Sequence, residues 1–135
     1  MSGEAPDDLL ERHTVGPAVI LTLRVLEIYD ADTIQRLAHQ VRETFRDSGA
    51  ATVVLDLSGV RFLTSGALGM FIHLRSQLAD QHRVFALAGA KGEVARTLAS
   101  TRLAEIMPVC ESVSSAVRSL GRPTGATDGP TDGPA

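Results

Sequence analysis

The chain contains no tryptophan, one tyrosine, one cysteine and one lysine among its 135 residues. Each shortage excludes something. Without tryptophan, and with aromatics at 4%, the chain has no stacking platform for single-stranded bases. A lone Cys110 forbids an internal disulfide and a cysteine-built metal site. The 13 basic residues are scattered arginines plus Lys91, and the formal charge is −3. No basic run speaks for nucleic acid. No apolar run nears the roughly 20 residues that span a bilayer, and the opening MSGEAPDDLLERH is polar and acidic, without a signal core. The expectation is a cytoplasmic protein with no direct membrane insertion.

Catalytic signatures are also missing. The four histidines, His13, His39, His73 and His82, lie in different elements without metal-ligand spacing. No serine stands in GxSxG. The loop Ala88 to Glu93 has two glycines and Lys91 but not the GxxxxGK[ST] order, so a strand-to-helix turn accounts for it better than a phosphate cradle. Cys110 reads as a small core residue. No cofactor is implied.

What is present is 44% apolar residues, enough for one aliphatic core. Gly16-Pro17 punctuates two strands, about 9–15 and 18–26, which read as a hairpin. Ile34, Leu37, Val41 and Phe45 repeat at helical spacing. Asp32 with Gln35 resembles a capping box for that helix, and Gly49 is placed to end it. Thr52 to Leu57 reads as a strand buried on both faces. Val60 to Leu63 is a second short apolar unit. A helix then carries Ala67, Phe71, Leu74 and Leu78 on one face, followed by a strand Arg83–Ala88, a helix Glu93–Ser100, a strand Met107–Cys110 and a helix from about Ser112 to Leu120. Alternation of this kind implies an α/β fold, a mixed and mostly parallel sheet of about five strands with about four helices. The domain is expected over residues 9–120, with a flexible leader at 1–8. The tail 121–135, rich in Gly, Pro, Thr and Asp, is expected to be disordered.

Thr64 and Ser65 fall where the second helix starts. A helix N-terminus offers unpaired N–H groups and a partial positive charge, so an anion is tolerated there. Ser65 therefore has two readings. It is an N-cap worth about 1 kcal/mol, or an acceptor for a phosphate bringing about −1.5 to −2 charges. Local chemistry alone favours the cap.

The segment Asp56 to Gly69, D-L-S-G-V-R-F-L-T-S-G-A-L-G, resembles the motif of the STAS family of bacterial anti-sigma-factor antagonists: D-L-S-x-V-x-F-[ILM]-D-S-[ST]-G-L-G. Asp56, Leu57, Ser58, Val60, Phe62, Leu63, Ser65, Leu68 and Gly69 fit in register. The likeness extends over about residues 10–120. It departs at Thr64, where the family has an acidic residue, at Gly66, where it has a hydroxyl, and at Ala67, where it has glycine.

The resemblance implies a small single-domain STAS fold and a binding module rather than an enzyme. It implies phosphorylation at Ser65, with Thr64 as alternative, by a partner anti-sigma factor that is a serine kinase using ATP and magnesium. A phosphatase would restore the unmodified form, which binds the kinase and frees the sigma factor. The expected contact surface is Arg61, Thr64, Ser65 and Gly66 with Gly69, Met70 and His73 of the following helix. Met70 reads equally as core filler. Asp30 resembles an acidic position of the family on the same surface, and it also reads as a turn or cap residue. The alternatives are a STAS subunit of a lipid-transporting ABC complex and a non-phosphorylated scaffold or sensor module.

Overall fold

The structure, a computed structural model, describes residues 9–120; the leader and tail expectations lie outside the described residues. Strands β1 (Leu10–Val15), β2 (Ala18–Leu23), β3 (Glu27–Ile28), β4 (Thr52–Asp56), β5 (Phe62–Leu63), β6 (Val84–Ala88) and β7 (Val109–Cys110) alternate with helices α1 (Ala31–Ser48), α2 (Ser65–Ala79), α3 (Gly92–Ser100) and α4 (Val113–Leu120). The main sheet runs β1-β2-β4-β6-β7. Its β1–β2 pair is the antiparallel hairpin, and the other pairings are parallel. This is the α/β architecture expected, with five strands in the main sheet and four helices among the described residues.

The strands of the sheet centre sort their side chains by parity. Val19, Leu21, Leu23, Val53, Leu55, Phe85 and Leu87 face one core with Leu37, Val41 and Phe45 of α1, Phe71, Leu74 and Leu78 of α2, and Val94 and Leu98 of α3. Ala18, Ile20, Val54 and Ala88 face the other way, onto Ala116 of α4. Alanines on that side let one short helix lie close to the sheet. A full side chain on the first face is worth about 1.5–3 kcal/mol by burial, and most of the large ones are there. Thr52, buried at the start of β4, donates its hydroxyl to the Leu120 carbonyl at 3.2 Å. That bond fixes the end of α4 against the sheet.

Two local expectations are corrected. The cap of α1 is Asp30, whose carboxylate accepts from the Thr33 N–H at 3.0 Å. Asp32 sits inside the first turn and faces Arg36 at 3.4 Å, so Asp32 and Gln35 form no capping box. Two aspartates two residues apart are both plausible caps; the extended backbone at Asp30 decides between them. Second, Thr64 rather than Ser65 holds the N-cap position of α2, with φ −109° and ψ 174°. The reason is not local: the Thr64 N–H donates to the Ile28 carbonyl at 3.1 Å, which keeps Thr64 extended and lets the helix begin at Ser65. In addition, two-residue strands β3 and β5 form a separate parallel ladder, Glu27 with Phe62 and Ile28 with Leu63.

The remaining punctuation follows the sequence. Gly49 ends α1 at φ 63°, the left-handed C-cap that glycine adopts without steric cost. Gly89, at φ 79°, has a second constraint: a Cβ there would stand 2.9 Å from Asp56 Oδ1.

Candidate functional site

The loop between β4 and α2 is built by Asp56. Its Oδ1 accepts from the Ser58 N–H at 3.0 Å, and its Oδ2 accepts from the Thr22 hydroxyl at 3.3 Å. The first contact is an Asx turn, a side chain imitating a backbone turn. The chain then follows residues 26–28. The Val60 N–H donates to the Leu57 carbonyl at 2.9 Å, the Arg61 N–H to the Leu26 carbonyl at 2.7 Å, and the Thr64 N–H to the Ile28 carbonyl at 3.1 Å. Buried Val60 and Leu63 anchor the loop from below. A rigid rail thus delivers Thr64 and Ser65 to one position.

Ser65 is exposed and Thr64 half-buried. The Thr64 hydroxyl makes no cap hydrogen bond. Among the described residues the Ser65 side chain has no hydrogen-bond partner. The capping role weighed for Ser65 therefore falls away, and its hydroxyl has no structural task. Among the described residues no His, Asp or Glu side chain hydrogen-bonds to it. The helix it opens supplies the positive dipole end.

Arg61 and Gly66 are exposed beside it, as are Gly69 and His73 further along α2. Gly69 has nothing within 4 Å of where a Cβ would stand. Met70 is buried, 7% exposed, on the floor of a groove of about 600 Å³ between α1 and α2. Ile34, Ala38 and Gly66 line the groove with it, under a rim of His39, Arg42 and His73. Arg42 bridges the helices by donating to Gln77 Oε1 at 3.0 Å.

Asp30 caps α1 at the same end of the molecule. The Thr33 N–H holds its carboxylate below the ordinary aspartate pKa. A neutral acid would lose the hydrogen bond that the charged form accepts.

Three residues here escaped sequence reasoning. Leu26, Tyr29 and Phe62 are 56%, 57% and 45% exposed, and they flank the β3–β5 ladder. In sequence they look like core residues. Only the two-residue ladder, with Ile28 and Leu63 turned inward, shows that they face solvent. Among the described residues no group of three His, Cys, Asp or Glu side chains gathers as a metal site, and no described helix is long and apolar enough to cross a membrane.

Comparison with solved structures finds this fold repeatedly. A putative anti-sigma factor antagonist of Thermotoga maritima superposes with a TM-score of 0.72 at 23% identity, covering 84% of this chain and 95% of that one. An anti-sigma factor antagonist of Mycobacterium paratuberculosis gives 0.70 at 22%, covering 87% and 98%. The Bacillus cell fate determinant SpoIIAA in its phosphorylated form gives 0.59 at 11%, covering 81% and 96%. At these identities the likeness is one of fold. The family model for the STAS domain matches residues 12–116, which runs from within β1 to the middle of α4. On that match the chain belongs to the STAS domain family.

Proposed function

We propose that this protein is an anti-sigma-factor antagonist, a binding module that docks on an anti-sigma serine kinase and is released by phosphorylation of Ser65. The observation that carries the reading is the state of Ser65: an exposed hydroxyl at the first residue of α2, unused by the fold. It sits beside an exposed apolar group, Leu26, Tyr29 and Phe62. Aromatic and aliphatic anchors ringed by polar residues are what partner surfaces are made of.

The physics of the switch is local. A phosphate on Ser65 meets the positive end of α2 and so does not unfold it. It does place about two negative charges next to apolar side chains that a docked partner would bury. Desolvating those charges opposes docking, so the complex separates while the fold persists. SpoIIAA, whose fold this chain shares, has been solved in a phosphorylated form, which supports the same chemistry here. A phosphatase completes the cycle.

The test is mass spectrometry after incubation with the cognate kinase, ATP and magnesium. Wild type and Thr64→Ala take up one phosphate, and Ser65→Ala takes up none. Uptake by Ser65→Ala equal to that of wild type moves the switch to another residue. Failure of every form to be modified, with tight kinase binding retained, leaves an unswitched scaffold.

A further inference from the structure

We propose that a second ligand site lies at the far end of α2, where Arg75 and Arg83 line one cavity, and that it takes a small organic oxyanion: a carboxylate or phosphate carried on a short apolar group. The proposal goes beyond the partner-switching reading. Arg75 lies ten residues after Ser65, about 15 Å along the helix at 1.5 Å per residue.

Arg83 is held by its other donors. Its Nε donates to the Ala50 carbonyl at 2.7 Å, and its Nη1 to the Phe45 carbonyl at 2.9 Å and to Gln81 Oε1 at 2.8 Å. The guanidinium also stands 5.8 Å from the centre of the Phe45 ring. These contacts leave one nitrogen over: Nη2 is buried and, among the described residues, has no hydrogen-bond partner. A buried charged donor without a partner is costly and rare in native proteins, and an ion or water commonly explains one.

Arg75 is half-buried and, among the described residues, has neither hydrogen bond nor ion pair. Arg75 and Arg83 both line a cavity of about 180 Å³ with Ala79, Phe85, Ile106 and Pro108. No carboxylate is among its described lining residues. Glu105, beside Ile106, is engaged with Arg102 at 2.8 Å. Two arginines lining one cavity give it a positive field, and the planar fork of arginine suits carboxylate and phosphate oxygens. The rest of the wall is apolar, with Ile106 42% exposed at the rim. Arginine and apolar walls together select an anion with an apolar stem over bare sulfate or a neutral alcohol.

The experiment is a titration of the ¹⁵N-labelled full chain at fixed ionic strength with hexanoate, hexyl phosphate and 1-hexanol, following the arginine Nε–Hε signals and the Ile106 amide. Hexanoate or hexyl phosphate should shift Arg75, Arg83 and Ile106 saturably, and the relative affinity of the two says which oxyanion the site prefers. Hexanol should not shift them. Arg75→Gln should weaken binding about tenfold, the scale of one charged hydrogen bond, with its melting temperature unchanged. Because Arg83 also holds backbone carbonyls, Ile106→Ser is the second variant; it should weaken hexanoate and leave acetate unaffected. Equal shifts from hexanol, full affinity in Arg75→Gln, or no saturable shift overturns the proposal. Each of these outcomes is independent of Ser65.

Discussion

Ile28 and Leu63 are register partners in a parallel ladder only two residues long, and both are buried. Two residues beyond them stand Asp30, the cap of α1, and Ser65, the first residue of α2. One short pairing thus sets two helix starts side by side and pointing the same way. Their partial positive charges combine at one end of a chain whose formal charge is −3.

Ser65→Asp should preserve the fold. An acidic residue in a first helical turn is favourable by about 0.3–1 kcal/mol, so the urea midpoint should hold or rise slightly. Binding to the proposed kinase partner, measured by calorimetry, should fall in the same direction as on phosphorylation and by less, since aspartate carries one negative charge against about two for phosphate. Unchanged binding would argue that charge at this position is not read by the partner.

Gly69→Ala separates folding from docking. The position is exposed, inside a helix, with open space where the methyl would go. Alanine should stabilise the helix by roughly 0.5–1 kcal/mol, seen as a higher urea midpoint. If the bare backbone at Gly69 admits close approach of a partner, the same variant binds more weakly. A more stable protein with undiminished affinity would remove Gly69 from the contact surface.

Asp30 makes stability depend on pH in a definite direction. Its folded pKa is depressed by the hydrogen bond from the Thr33 N–H. The contribution is complete above the unfolded aspartate value of about 3.9 and is lost as pH falls through the lower folded value. The gap in melting temperature between wild type and Asp30→Ala should therefore be present at neutral pH and narrow in acid. A gap that does not change with pH would assign the loss to packing.

Gly89→Ala should cost roughly 1–3 kcal/mol, the range for a non-glycine residue held in a sparsely populated backbone region. Two effects act together: φ is 79°, and the new Cβ would stand 2.9 Å from Asp56 Oδ1. Because Asp56 also organises the turn at Ser58, nuclear magnetic resonance shifts should appear in residues 56–60 as well as at 89. A neutral effect on the denaturation midpoint would show that the loop gives way freely.

The regular elements were legible because they bury long periodic stripes. Leu37, Val41 and Phe45 declare α1, and Val53 to Leu55 declare a strand covered on both sides. The details at the helix starts were not legible, because they are settled by distant partners. Nothing near Thr64 says that its N–H reaches the Ile28 carbonyl, yet that bond decides which hydroxyl caps and which is left free. A two-residue strand has no period to detect, so β3 and β5 were invisible, and with them the outward turn of Leu26, Tyr29 and Phe62. Arg83 looked like the polar edge of a strand. Its grip on the Phe45 and Ala50 carbonyls joins residues more than thirty apart.

The margins of the main sheet carry a last consequence. On one side β7 is only two residues long; on the other β1, unpaired along its outer side among the described residues, is exposed from Glu11 through Val15 and studded with Glu11, Arg12 and His13. Stubby or charged borders discourage strangers from adding strands. A chain with such borders can be concentrated without its sheets growing into one another.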